Sequence, residues 1–392
     1  MRGTMNKTIL IYCWQSVCEP MAIRSMRELG YRVEIFDKEI KDYHADATFA
    51  KEFIECLHAV KPDVVFSYDF FPLVSMICQM NQIPYAAWIY DCPQYTLLSK
   101  TLTNECNHIF CFDEAYALRL DALGAKHVYH FPLAADLQMY ERAVGAKLHD
   151  FACDISFVGG LYNDSKNRLL NAKLPAHEAG YVEGLIRAQL KVYGYNLLKD
   201  ALNENVAAKL VEQCSLTLGD SYLEDALQMA ADAIGMEVTS RERLHVLEML
   251  SQYFDVSLFT NSELPENLKT QKKLHVKGTV DYVNQMPLVF HHSKINLNMT
   301  SKTIETGIPQ RVLDILACGG FCMTNYQKEI AELFVDGAEL VMYTSLEDMK
   351  QKVEYYLTHE EERLQIAKAG YEKVCAYFGI HMRMEELLGC IM

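Results

Sequence analysis

The stretch Thr306-Gly-Ile-Pro-Gln-Arg-Val-Leu-Asp314 sets a guanidinium and a carboxylate at the entry of a short helix. Gly307, Ile308 and Pro309 shape a tight approach, with proline suited to a helix start. Arg311 falls in the first turn, where the helix dipole disfavours a cation, so a fixed anion would rationalise it. Asp314 stands about one turn on, on the same face. A carboxylate placed there can accept two hydrogen bonds from a ribose diol. The plain alternative is an Arg311–Asp314 surface pair worth about 0.5 kcal/mol. Gly319-Gly320 then ends the helix and feeds a buried strand.

Other candidates follow strands. In Ser156-Phe-Val-Gly159-Gly160 the glycines let backbone N–H groups approach a phosphate closely, or simply make a turn. In Asn298-Met-Thr300-Ser-Lys302, hydroxyls and an ammonium suit a diphosphate; a polar loop with a helix cap is the other reading. Asp91, Asp69 and Glu19 each follow a strand of the first half. Each is placed to act as a general base toward a hydroxyl, or to cap a helix or turn. His291 and His292, adjacent on a helix, point to different faces and do not make a metal site.

The elements that position these residues alternate. Apolar runs at Thr8–Cys13, Arg32–Phe36, Val64–Tyr68, Tyr85–Tyr90, His108–Phe112 and Val128–Phe131 predict parallel strands joined by helices, hence a doubly wound sheet. The rhythm restarts at Asp154–Val158 and resumes at Val256–Phe259, Leu274–Val276, Ile295–Asn298, Gly320–Met323 and Leu340–Tyr343. Between them a mostly polar helical tract, about 178–252, reads as an inserted helical subdomain. The expectation is α/β: two Rossmann-like doubly wound domains facing a cleft. The first spans 5–145, on the acceptor side, and the second 146–378; a terminal helix, 379–392, packs back on the first. The four residues before Met5 read as an upstream start or a cloning remnant.

Composition narrows the classes. The chain has 392 residues and a net charge of −15, which disfavours nucleic acid and anionic lipid as partners. Its 13 cysteines include no CxxC pair and sit in apolar runs, which predicts a reduced, cytoplasmic protein without structural zinc. No apolar run reaches the ~20 residues that span a bilayer.

Three segments, Lys294–Thr300, Gly307–Asp314 and Gly319–Asn325, resemble the CgeB-like (spore-maturation-protein-type) branch of group-1 glycosyltransferases. Asp154–Gly159, Arg241–His245, Tyr355–Arg363 and Gly370-Tyr371 fit the same branch. Pro62–Ser67, Trp88–Pro93 and Tyr129–Ala134 resemble its companion N-terminal domain of unknown function. The resemblance implies a GT-B architecture. It implies a nucleotide-sugar donor held mainly by the second domain, UDP- or GDP-sugar favoured, and a hydroxyl acceptor on a glycan, protein or small molecule. It implies no metal and no cofactor, the nucleotide sugar being a substrate. Arg311, the Thr300–Lys302 loop with Asn298, and Gly159-Gly160 take the diphosphate; Asp314 takes the ribose; Thr306, Gly307 and Ile308 complete the donor loop. Retaining members often carry two glutamates eight positions apart. Here those positions hold Thr306 and Asp314, with Glu305 one place off, so retention and inversion both stay open. Inversion would need a base, for which Asp91 is first choice. A catalytically inactive binding protein and a nucleotide-sugar epimerase or phosphorylase are the alternatives.

Overall fold

The computed structural model describes residues 7–145, 151–216, 218–223 and 225–392. The expected chain start at residue 5 and domain start at residue 146 lie outside the described residues. The chain forms two compact units. The first comprises the chain up to Asp136, a strap at 218–223 and Tyr377–Met392; the second runs from Leu137 to Ala376 apart from the strap.

In the first unit, β1 (Thr8–Tyr12), β2 (Arg32–Phe36), β3 (Val64–Tyr68), β4 (Tyr85–Ile89), β5 (Asn107–Cys111) and β6 (Val128–His130) form one sheet. The strand order is β2-β1-β3-β4-β5-β6, and neighbours pair in parallel. β1, β3 and β4 are buried at every residue, as strands covered by helices on both faces must be. The order reverses at β1: the chain steps to β2 on one side, then to β3 on the other. Edge-on contacts of Tyr12 with Phe49 and Phe71, and of Phe36 with Phe49, anchor the core beside β1. Helix Ile380–Gly389 packs on helix Glu19–Glu28, and Lys7 Nζ donates to Met392 O at 2.9 Å. The strap joins the same unit where Lys100 N–H donates to Ser221 O at 2.9 Å.

The second unit repeats the plan. Its strands are β7 (Cys153–Val158), β8 (Val256–Phe259), β9 (Leu274–Gly278), β10 (Ser293–Asn298), β11 (Cys322–Asn325) and β12 (Val341–Tyr343), in the order β12-β11-β10-β7-β8-β9. The reversal falls between β7 and β10.

The helical tract departs from the expectation. It is four helices, Ala176–Gln189, Leu198–Ala201, Glu204–Gln213 and Ala226–Ser251, and the last is no outlying insert. Its Val246, Leu247 and Leu250 belong to the core of the second sheet, and it leads directly into β8. It is the crossover helix between β7 and β8. Its polar residues hid this, because many are buried in pairs. Gln228 Nε2 donates to Asp232 at 2.7 Å and Asn167 Nδ2 to Glu237 at 2.6 Å. A helix buried on most sides shows no single apolar stripe.

Gly320, just before β11, has a steric requirement. A Cβ there would lie 2.5 Å from Phe290 O and 2.8 Å from Asn296 Nδ2. Gly320→Ala is therefore expected to cost about 2–3 kcal/mol. Gly180, in helix Ala176–Gln189 with nothing within 4 Å, is the control. Gly180→Ala should raise the melting temperature slightly, because alanine is the better helix former. Equal melting of the two variants in calorimetry would refute the steric account.

Candidate functional site

Open parallel sheets bind ligands beyond the carboxyl ends of strands, where the order reverses. In the second unit that place is formed by the loops after β7 and β10. The side chain that joins them is Arg243, from the long crossover helix. Its Nη1 donates to Gly160 O and its Nη2 to Met299 O, each at 2.6 Å. The guanidinium lies 4.7 Å from the Tyr162 ring centroid and 5.4 Å from that of Phe157. Burial lowers the Arg243 pKa, and Arg311 adds to this; Tyr162 and Glu242 work the other way. Arginine stays charged even so.

Arg311 approaches the same loops from helix Gln310–Ala317. Its Nη1 donates to Val158 O at 2.7 Å. Lys302 is 9% exposed, with Nζ 3.3 Å from Glu242 Oε2 and 4.3 Å from the Tyr193 ring centroid. Glu242 is 1% exposed, and neither of its oxygens has a hydrogen-bond partner. The Lys302–Glu242 contact is thus Coulombic, without hydrogen-bond alignment. Burial, and then Glu242, push the Tyr193 hydroxyl far above its usual range. The result is two arginines bound to the loops after β7 and β10, beside a buried Lys302–Glu242 pair. Such a set is suited to an anion carrying more than one charge.

The other expected residues build the frame. Asn298 Nδ2 donates to Thr300 Oγ1 at 3.0 Å and Thr324 Oγ1 at 2.8 Å; Thr300 N–H donates to Asn325 Oδ1 at 2.7 Å. These bonds tie the loop after β10 to β11. Lys302 N–H donates to Thr239 Oγ1 at 2.8 Å, and Thr306 O accepts from Glu329 N–H at 3.1 Å. Gly307 and Ile308 are buried. A Cβ on Gly159 would sit 3.3 Å from the Phe157 ring, whereas Gly160 has room and contributes its carbonyl to Arg243.

Asp314 is 1% exposed, so the surface-pair alternative fails. Its Oδ1 accepts from Gln310 Nε2 at 2.8 Å and Tyr282 OH at 3.1 Å, while Arg311 turns to Val158. Sequence reasoning missed Arg243, Glu242, Tyr193, Gln310 and Tyr282 as site residues. The Arg241-Glu-Arg243 run was the available signal, since adjacent opposite charges inside a core helix need partners. Of the histidine pair, His291 Nδ1 lies 2.7 Å from Cys318 O. No group of three or more His, Cys, Asp or Glu side chains that could hold a metal occurs among the described residues.

The three acids of the first unit differ in role. Glu19 is buried, and its Oε1 accepts from Trp14 N–H at 2.8 Å. Asp69 is buried in left-handed backbone, φ 61°, and its Oδ1 accepts from the N–H groups of Tyr90 at 2.9 Å and Asp91 at 3.0 Å. Asp91 is the exposed one. Burial first, then the Asp91 charge, push the Asp69 carboxyl up to about 7.

A carboxyl whose folded pKa is raised loses stability as pH rises from its unfolded value through the folded one. For Asp69 that window runs from the ordinary carboxylate value of 3.8 to about 7. Asn tolerates left-handed backbone and keeps an oxygen for both N–H groups. Asp69→Asn should therefore melt like the parent near pH 4.5 and be more stable by about 1–2 kcal/mol at pH 8. Thermal scans across that range check it; a constant offset at all pH values would contradict it.

Residues 242–389 match the family described as "Glycosyl transferase-like". Spore protein CgeB of Bacillus subtilis is 21% identical over 298 residues, covering 76% of this chain and 72% of that protein. The chain is thus similar to CgeB, and its residues 242–389 are glycosyl transferase-like. The matched region of this CgeB-like chain begins at Glu242 and includes Arg243, Lys302, Arg311 and Asp314. Solved structures agree on the fold. Sucrose-phosphate synthase from Thermosynechococcus elongatus superposes with a TM-score of 0.58 at 10% identity, covering 98% of this chain and 99% of that one. HepE of Anabaena, solved in complex with UDP-glucose, gives 0.57 at 10% identity, with the same coverage. The fold of the CgeB-like chain is thus GT-B: two Rossmann-like units, each a six-stranded parallel sheet with helices. No described helix is long and apolar enough to cross a membrane.

Proposed function

We propose that this protein is a glycosyltransferase that takes a sugar from a UDP- or GDP-sugar and passes it to a hydroxyl acceptor. The observation that carries this reading is the meeting of Arg243, Arg311 and Lys302 at the reversal point of a GT-B donor-type unit. Breaking the sugar–phosphate bond leaves negative charge on a nucleoside diphosphate. Cations already fixed in a buried site stabilise that charge without reorganising. They supply the neutralisation that a divalent ion supplies elsewhere, so we assign a metal-independent transfer with no cofactor. Arg311 and Arg243 hold the diphosphate, and Lys302 exchanges Glu242 for it. Asp314, oriented by Gln310 and Tyr282, receives the ribose hydroxyls. Asp91 is the base we assign to the acceptor hydroxyl if the anomeric centre inverts; retention needs none. The first unit takes the acceptor, and the enzyme acts in the cytoplasm.

The test is a thermal-shift series with UDP-, GDP-, TDP- and CMP-sugars. A ligand at ~100 times its dissociation constant stabilises the fold by about 2.7 kcal/mol. A UDP- or GDP-sugar is expected to raise the melting temperature. Arg311→Ala should weaken that ligand by about 10–100-fold through loss of a charge-assisted contact. An unchanged shift in Arg311→Ala removes its phosphate role. Slow donor hydrolysis without acceptor separates transfer from an inactive binding protein, and interconversion of the free nucleotide sugar would mark an epimerase.

A further inference from the structure

The first unit has its own cavity, about 390 Å³, at the carboxyl ends of β1 and β2. It lies beyond strand carboxyl ends, as ligand sites of such sheets do, with Phe71 reaching it from the loop after β3, across the β1–β3 reversal. One wall is aromatic. Phe71 stands between Trp14, with centroids 6.2 Å apart, and Tyr43, with centroids 6.1 Å apart. Trp14 is fixed by its Nε1–H, which donates to Tyr68 O at 2.9 Å. Tyr43 is 43% exposed and presents its ring to the opening. At the mouth stand the exposed carboxylates of Asp37 and Glu39, with Lys38 the one cation among the described lining residues. Gln15, also at the mouth, holds a left-handed φ of 74° without being glycine. Such backbone strain is found at sites that bind.

The chemistry of this wall is selective. A pyranose has a C–H face that packs on an aromatic ring and a rim of hydroxyls that donate to carboxylates. An apolar wall with a few convergent polar groups is how small-molecule sites gain orientation. A negatively charged sugar would meet Asp37 and Glu39 at the mouth and Glu19 beneath. The field of these acids is already felt inside. Burial, then Glu19 and Asp37, push the Cys13 thiol up to about 12.

We propose that this cavity seats a neutral or amino-bearing sugar ring of the acceptor, and excludes anionic sugars. The inference rests on the glycosyl-transfer reading and names its acceptor class. Trp14 reports on it directly. The chain has two tryptophans, and the other, Trp88, is fully buried away from solvent. Titration of the full chain with methyl glucoside and methyl glucosaminide should change tryptophan emission saturably. Methyl glucuronide at the same concentrations should leave it flat. Tyr43→Ala should weaken the neutral sugar about fivefold, the loss of one aromatic contact. Asp37→Asn with Glu39→Gln should let the glucuronide bind.

No saturable change with either probe, or an equal response to glucuronide in the parent, overturns the proposal. The melting shift given by a nucleotide sugar, measured on the same samples, keeps the two readings apart. A donor shift without a tryptophan response sinks the acceptor site alone. A tryptophan response without any donor shift upholds the sugar site and sinks the transfer reading.

Discussion

Arg243→Ala is expected to lower the melting temperature by about 10 °C and to abolish the shift that a nucleotide sugar gives the parent. Arg243 is 8% exposed, and its guanidinium satisfies two carbonyls on two different loops, Gly160 and Met299. Its removal leaves both carbonyls without that donor and leaves Lys302 as the cation beside Glu242. Breaking a buried charged network of this kind costs about 3–5 kcal/mol. For a unit of this size each kcal/mol moves the melting temperature by about 2–4 °C. Arg243→Lys keeps the charge but cannot reach both loops as a fork does, so it should fall between. The lysine variant also guards against a trivial outcome: it should bind the donor more weakly than the parent while still folded. Parent-like melting with an intact ligand shift in Arg243→Ala would remove this residue from the site.

Glu242→Gln should act in two opposite directions. Lys302 loses its buried counter-charge, so the ligand-free protein is expected to be less stable by about 2–3 kcal/mol. A diphosphate no longer competes with a carboxylate for Lys302, so donor affinity should rise about tenfold, which is ~1.4 kcal/mol. The nucleotide sugar would then produce a larger melting shift in the variant than in the parent. Calorimetric titration with UDP- and GDP-sugars measures the affinity directly. A fall in affinity like that of Arg311→Ala would show that Glu242 supports the donor rather than competing with it.

Much of this was legible in the chain. Short continuous apolar runs such as Val64–Tyr68 and Tyr85–Ile89 read as strands buried on both faces, and their alternation with helices points to parallel sheets. The loops after β7 and β10 were legible as candidate site loops, because ligands sit beyond strand ends. Arg311 was legible because a cation in a helix's first turn calls for a partner.

The remainder needed the tertiary structure, since local pattern reports only on neighbours within a turn or two. Arg243 is 83 residues from Gly160 and 56 from Met299, and nothing in its own helix indicates either partner. The crossover helix itself was obscured, because its buried polar residues are paired and break the apolar period that would have marked it as core. Asp314 followed the same logic: its place in the helix was set by sequence, but its hydrogen bond from Tyr282 comes from 32 residues away. The Asp69 carboxyl, placed by sequence after β3, acquires its raised titration first from burial in the folded unit and then from the charge of Asp91, 22 residues on, beyond the next strand. The sequence by itself determined which residue types stand at strand ends. The fold decided which of those charges face one another, because burial removes the water that would otherwise screen them.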